Sequence, residues 1–321
     1  MFCRPVSARS VGTAAGNLDF LSVLNYNTTG HQRLITSIRD TGHREYDPAC
    51  GFYGRVPLSF LKEPGRGALS SNILSKRHLD LAGSYNIRDT GGYPTSDGRH
   101  MRWRRFIRAD TLHRLPPESQ AALIAYGLRT VIDLRNAREI RHEPCVFVNS
   151  GHVSYHHKAM VGDVLAAEWE ETPASGTVLE KIFQSYTSVI DRRQVEICKI
   201  LSMLALPGTL PTVVHCHGGK DRTGIMTALV LGVAGVPVDI IVEDYILSAR
   251  FLLKRRADGR APGVEAAYST EEEYRHNCCP PEAMFSTLQH LSERYGGIES
   301  YLLDGGLDRE HITNIRSALV E

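Results

Sequence analysis

The sequence predicts an α/β fold with a central, mainly parallel sheet flanked by helices. Three observations predict it. Short apolar runs without helical period, Thr130–Leu134 and Leu210–Val214, read as buried strands. They alternate with longer segments whose apolar residues recur at helical spacing. One strand also feeds a Gly-containing loop that opens directly into a helix, at Val213–Gly224. In such sheets ligands bind at the carboxyl ends of the strands, where Asp133 and Cys216 both fall.

The elements follow in chain order. Residues 1–75 are rich in Gly, Ser, Asn, Arg and Thr, with turn pairs such as Pro64-Gly65 and no sustained periodicity. They are expected to be a disordered or loosely docked extension, with Phe20–Leu24 and Val56–Leu61 as short apolar docking runs. The domain is expected over residues 76–321. Met1–Gly16 carries Arg4 and Arg9, with no acidic residue before Asp19. Its composition is that of a mitochondrial transit peptide, the alternative to a cytoplasmic location. Leu115–Tyr126 predicts a helix, with Pro116 and Pro117 in its first turn and Gly127 as its stop. Val153–His156 alternates as a strand. Val178–Leu204 has helical spacing with a break near Asp191–Arg193, which predicts two helices. Pro237, Glu282–Tyr295 and Arg309–Leu319 mark further helices.

Composition excludes several classes. The chain has 321 residues, 42% hydrophobic and 23% charged, with a formal net charge of +1, so no global field draws it to nucleic acid or membrane. No apolar stretch is long enough to span a bilayer. Seven cysteines without a repeating spacing argue against a disulfide framework. Cys278-Cys279 lack the spacing of a zinc site, and His215-Cys216-His217 point to alternate faces and cannot converge on one metal ion. No metal or other cofactor is expected. Arg99, Arg102, Arg104, Arg105, Arg108 and Arg114 lie in one stretch with a single acid, Asp110. That stretch reads either as a solvated strand-and-loop edge or as a basic rim for a polyanionic substrate.

The chemistry concentrates in Val213–Gly224. A loop of this kind can turn its backbone N–H groups inward and cradle an anion at a helix N-terminus. The same field favours the thiolate of a cysteine at the loop's start. Arg222 offers a planar fork for two phosphate oxygens. Spacing alone is weak evidence, since Cys3 and Arg9 share it with no strand, loop or helix around them. A thiolate aimed at a bound phosphate is the core of phosphoryl transfer through a cysteinyl-phosphate.

His215-Cys-x2-Gly-Lys-Asp-Arg-Thr-Gly224 resembles the signature loop of the cysteine-dependent protein tyrosine phosphatase superfamily. It is closest to the branch with Gly-Lys-Asp-Arg-Thr-Gly, whose members act on phosphotyrosine and phosphoinositides. Asn86-Ile-Arg-Asp-Thr-Gly-Gly-Tyr-Pro94, Arg129-Thr-Val-Ile-Asp-Leu-Arg135 and Tyr295–Leu302 resemble further segments of that branch, so the likeness covers about residues 80–320. It implies a phosphatase-like fold and hydrolysis of phosphate monoesters on phosphoproteins, phosphoinositides or both, with oligomeric state left open. Cys216 is the implied nucleophile. The amides of His217–Gly224, including Gly218, Gly219, Lys220, Asp221 and Thr223, and the Arg222 guanidinium are implied to hold the phosphate oxygens. Thr223 can donate to the cysteine sulfur, while His215, Arg88 and Asp89 are supporting residues.

The general acid stays open at this level. By resemblance Asp133 is the first candidate, with pairing to Arg135 or Arg88 as its alternative role. Asp163, after the Val153–His156 strand, is second, and Asp221 is third. Lys220 is a second cation suited to multiply phosphorylated substrates, or else a solvent-facing lysine. Two other functional readings compete: a catalytically idle phosphate-binding module, opposed by the intact Cys216, Arg222 and Thr223, and a rhodanese- or arsenate-reductase-like enzyme, opposed by the Gly-Lys-Asp-Arg-Thr-Gly run. A nucleotide-hydrolase P-loop is excluded, because Lys220 lacks the preceding glycine spacing and a following Ser or Thr.

Overall fold

The computed structural model describes residues 19–26, 32–39, 76–162, 176–259 and 267–321, the first two stretches as backbone alone. The chain divides into two compact units, Met1–Gly54 and Arg55–Glu321. In the first, β1 (Asp19–Tyr26) and β2 (Gln32–Arg39) pair antiparallel, with Asp19 opposite Arg39. The Phe20–Leu24 run falls within β1. Met1–Gly16, Val56–Leu61 and most of the expected extension lie outside the described residues.

The second unit is built on five strands: β3 (Arg88–Asp89), β4 (Phe106–Ala109), β5 (Thr130–Asp133), β6 (Ser154–His157) and β7 (Thr212–His215). Their order is β3-β4-β7-β5-β6, and only the β3–β4 pair is antiparallel. β7 therefore lies between two parallel neighbours, with His215 in register with Ala109 on one side and Asp133 on the other. β4, β5 and β7 are buried throughout, so Thr130–Asp133 and Thr212–His215 read as apolar runs, while β6 at the edge of the sheet stays partly exposed. Alternation divides the core in two: Phe106, Ile132 and Val214 join one cluster, and Ile107, Val131 and Val213 the other.

The helices follow from local signals. α1 (Pro117–Tyr126) starts with proline and stops at Gly127, whose φ of 111° belongs to the left-handed region. α2 (Ala137–His142) starts with a capping box between Asn136 and Glu139. α3 (Val178–Arg192) and α4 (Gln194–Leu204) are separated at Arg193, whose φ of −121° and ψ of 21° leave the helical region. α5 (Asp221–Ala234) follows β7, and eleven of its fourteen residues are buried. A helix enclosed on all sides has no polar face, which is why its sequence shows no amphipathic stripe. α6 (Val238–Ile246), α7 (Ser248–Asp258), α8 (Glu271–Cys278), α9 (Pro281–Tyr295), α10 (Ile298–Asp304) and α11 (Arg309–Leu319) complete the unit.

The arginine-rich stretch is mixed: Arg99, Arg104 and Arg114 are exposed, as on a solvated edge. β4, inside it, is buried throughout, and Arg108 is part of the interior. Arg99 pairs with Asp97 at 2.8 Å, Arg102 with Glu321 at 3.8 Å, and Arg104 lies over the Tyr126 ring at 4.9 Å. Arg99 and Arg102 thus have carboxylate partners within the fold.

Candidate active site

The loop Cys216–Lys220 leaves the carboxyl end of β7 and enters α5 at Asp221. Cys216 is buried at its base, 2% exposed. Gly219 has φ of +65°, and a Cβ there would lie 2.6 Å from the Ala109 carbonyl and the Asp110 nitrogen, so glycine is required. The loop's carbonyls are pinned outward. His217 O accepts from the Thr111 amide (3.1 Å) and Arg255 Nη1 (2.9 Å). Gly218 O accepts from Asn86 Nδ2 at 3.0 Å, and Gly219 O from the same group at 3.1 Å and from Arg108 Nη2 at 2.7 Å. A peptide whose carbonyl is held on one side presents its N–H on the other, so these contacts turn the loop's N–H groups inward, as an anion cradle needs.

Behind the loop lies a buried charge cluster. Asp244 receives Arg88 Nε at 3.0 Å, Tyr93 OH at 3.0 Å and Arg108 Nη1. Burial would raise the Asp244 pKa, but the two guanidinium groups hold it well below the usual carboxylate range. Arg88 Nη1 also donates to Asn86 Oδ1 at 2.5 Å, so Arg88 reaches the loop through Asn86 and Arg108 reaches it directly. Two cations facing one carboxylate leave a positive balance beneath the cradle. Asp89, expected beside them as a support, serves a turn instead. It accepts from the Gly91 and Arg104 amides at 2.7 Å each and from Tyr126 OH at 2.6 Å.

Arg222 points its Nη1 and Nη2 at Glu139 of α2, at 2.6 and 2.8 Å. Burial would lower the arginine's pKa, but Glu139 and the nearby Cys216 sulfur raise it, so the group is a permanent cation. Burial would raise the Glu139 pKa, and the Arg222 contact wins and lowers it. The end-on pair consumes two of the five N–H donors and leaves the Nε edge for a ligand. Replacing Glu139 with Gln is expected to lower kcat/KM about tenfold through a misaimed Arg222, the scale of one charge-assisted hydrogen bond. Steady-state kinetics on a phosphate monoester checks this, and an unchanged kcat/KM would show that Arg222 needs no partner. Glu139 escaped the sequence reading, although the Asn136-x-x-Glu139 capping pattern was there to be read.

The remaining expected residues separate. Lys220 is mostly buried, donating from Nζ to the Cys278 carbonyl at the end of α8 and lying 3.2 Å from Asp221 Oδ1. It is therefore no solvent-facing lysine, and here its charge is matched by protein groups. Asp221 is half-exposed, and its Oδ1 accepts from Tyr186 OH at 2.7 Å. Thr223 Oγ1 is buried without a hydrogen-bond partner, so the expected bond to the Cys216 sulfur is not made in this structure. Asp163 lies outside the described residues.

Asp133 does not fit the role of proton donor. It is fully buried, receives Arg135 Nη2 at 2.7 Å and Nε at 3.0 Å, and accepts from Tyr155 OH at 3.0 Å. Burial would raise its pKa, but His215 and Arg135 outweigh burial and lower it. A carboxylate held ionised and closed off by the fold has no proton to give to a leaving group. Its pairing with Arg135 is the alternative role named above.

Beside the loop opens a cleft of about 790 Å³, bordered by Glu139, His217, Asp221 and Arg222 on its polar side and by Val161, Ile182, Val189 and Ile225 on its apolar side. No group of His, Cys, Asp and Glu among the described residues could hold a metal ion, and no helix among them is long and apolar enough to cross a membrane.

A buried cysteine at the start of a loop whose carbonyls are held by side chains, with Arg222 fixed by Glu139 at its far end, is an arrangement able to hold a phosphate. The model of the tyrosine phosphatase family matches residues 79–321, and the chain belongs to that family. It is therefore a tyrosine-phosphatase-like hydrolase acting on phosphoproteins. It is 26% identical over 219 residues to a tyrosine-protein phosphatase of Nostoc commune, covering 67% of this chain and 74% of that one. It is also 26% identical over 277 residues to the triple specificity protein phosphatase PtpB of Mycobacterium tuberculosis, covering 75% and 98% respectively.

Proposed function

We propose that the enzyme hydrolyses phosphotyrosine in proteins through a cysteinyl-phosphate on Cys216. The observation that carries this reading is the outward pinning of the loop carbonyls by Asn86, Arg108, Thr111 and Arg255, which readies the amides before any ligand arrives. In the first step the Cys216 thiolate forms an S–P bond as the P–O bond to the tyrosine oxygen breaks, and Asp221 gives that oxygen its proton. Of the two acid candidates among the described residues, Asp221 is the one with a half-exposed carboxyl, at the cleft beside Arg222. In the second step water attacks phosphorus, Asp221 takes its proton back, and the thiolate leaves. His217 to Thr223 and Gly224 frame the phosphate through the loop and the first turn of α5, with Arg222 on its equatorial oxygens.

The apolar side of the cleft, Val161, Ile182, Val189 and Ile225, suits an aromatic ring next to the phosphate. A phosphoinositide activity would draw on Lys220, whose contacts with Cys278 and Asp221 would have to open for it to meet a second phosphate. A phosphate-release panel of phosphotyrosine, phosphoserine and phosphoinositide substrates separates the two readings. Release from phosphotyrosine peptides is expected to dominate. A preference for phosphoinositides that Lys220→Ala abolishes would reverse the assignment, and no release from any substrate would end it.

A further inference from the structure

One oxygen of Asp221 is occupied and the other is open. Oδ1 accepts from Tyr186 OH at 2.7 Å and lies 3.2 Å from Lys220 Nζ, whereas Oδ2 has no hydrogen bond among the described residues. Tyr186 of α3 is buried, and so is Tyr245 of α6, whose hydroxyl lies 3.0 Å from that of Tyr186. The two rings meet edge to face, with centroids 6.2 Å apart. Burial raises the pKa of both phenols, so each keeps its proton near neutrality.

The direction of this hydroxyl chain follows from its end. Oδ1 only accepts, so the Tyr186 proton points at Asp221. The Tyr186 oxygen is then left to accept, and Tyr245 OH is its donor. A hydroxyl that accepts a hydrogen bond is polarised into a better donor, so the two act in series.

We propose, building on Asp221 as the acid of the mechanism above, that Tyr186 and Tyr245 are its positioning residues: they hold Oδ1 and confine the transferable proton to Oδ2. A proton on Oδ1 would confront both Tyr186 and Lys220, which leaves Oδ2 to carry it. As the P–O bond to the substrate oxygen breaks, the Oδ2–H bond breaks with it and the proton passes to that oxygen. The electron pair left behind makes Asp221 a carboxylate, and the Tyr186 hydrogen bond strengthens as this charge grows. Asp133 has no such asymmetry, because Arg135 reaches both of its oxygens.

Tyr186→Phe deletes the hydroxyl and keeps the ring. Its kcat/KM should fall about tenfold on phenyl phosphate, the scale of one charge-assisted hydrogen bond. On a nitrophenyl ester, whose leaving oxygen needs little protonation, the loss should be far smaller. A residue that merely supports the fold lowers both rates alike. Added to Asp221→Asn, the same substitution should cost nothing further on phenyl phosphate, because its effect passes through the proton on Oδ2. An equal loss on the two esters, no loss on either, or losses that multiply in the double variant overturns the proposal.

Tyr245→Phe leaves the Tyr186 contact in place and should show the same leaving-group dependence at smaller size. It decides if Tyr186→Phe does not fold, and an even loss across the esters, or none, overturns the proposal there. Asp221→Asn alone separates the two levels. If its own loss is even across the esters, the acid assignment fails and takes this proposal with it. If its loss is uneven and that of Tyr186→Phe is even, only the proposal falls.

Discussion

Cys216→Ser should abolish turnover, with kcat reduced on the order of 10⁴-fold or more, while the protein keeps its fold and its affinity for a phosphorylated ligand. The argument is chemical. A serine hydroxyl at the base of the cradle is not ionised near neutrality, and removing the nucleophile of a covalent mechanism removes the route itself. The cradle persists because it depends on groups other than the sulfur: Asn86, Arg108, Thr111 and Arg255 hold its carbonyls, and Glu139 holds Arg222. Serine is smaller than cysteine and fits the same buried position. Single-turnover phosphate release together with calorimetric binding of a phosphotyrosine peptide checks both halves. Residual turnover within tenfold of the unaltered enzyme would mean that the phosphorus is attacked by something else.

The second large effect is expected at Asp221. General acid catalysis is typically worth about 10²–10⁴-fold, and its weight depends on how poor the leaving group is. Asp221→Asn should therefore slow hydrolysis of phenyl phosphate by about 10²–10³-fold, and slow a nitrophenyl ester with a strongly acidic phenol far less. Lys220 complicates the site, since it pairs with Asp221 and would lose a partner. Tyr186, which donates to the same oxygen, can still donate to an amide oxygen, so the local hydrogen bond survives. A kcat series across leaving groups measures the slope. An equal loss for good and poor leaving groups would show that Asp221 shapes the loop and gives no proton.

Much of the architecture was legible because it is written in short-range terms. Gly127 and Pro117 set the ends of α1, and the split between α3 and α4 falls within the predicted break. Residues 213–224 announced their chemistry through local context, since a strand, two glycines and a following helix are neighbours in sequence. Other parts were hidden. α5 showed no stripe because it is buried all round. The arginines at 99–114 left an edge and a rim both open because the partners of Arg102 and Arg108, Glu321 and Asp244, come from far along the chain.

The general acid shows where sequence reading stops. Asp133 and Asp221 are both aspartates at the carboxyl ends of strands or the loop that follows, and nothing local distinguishes their roles. Folding sets them in different environments: Arg135 and Tyr155 close around Asp133, while Asp221 meets Lys220 and Tyr186 at the cleft, and Asp163 lies outside the described residues. The sequence by itself determined the fold class and family and pointed to Cys216 and Arg222 as the reactive pair, since those depend on neighbours along the chain. Only the tertiary structure shows which of these carboxylates is buried, which residue pairs with Arg222, and what faces His215. Each of these depends on burial and on partners distant in sequence, which no local pattern encodes.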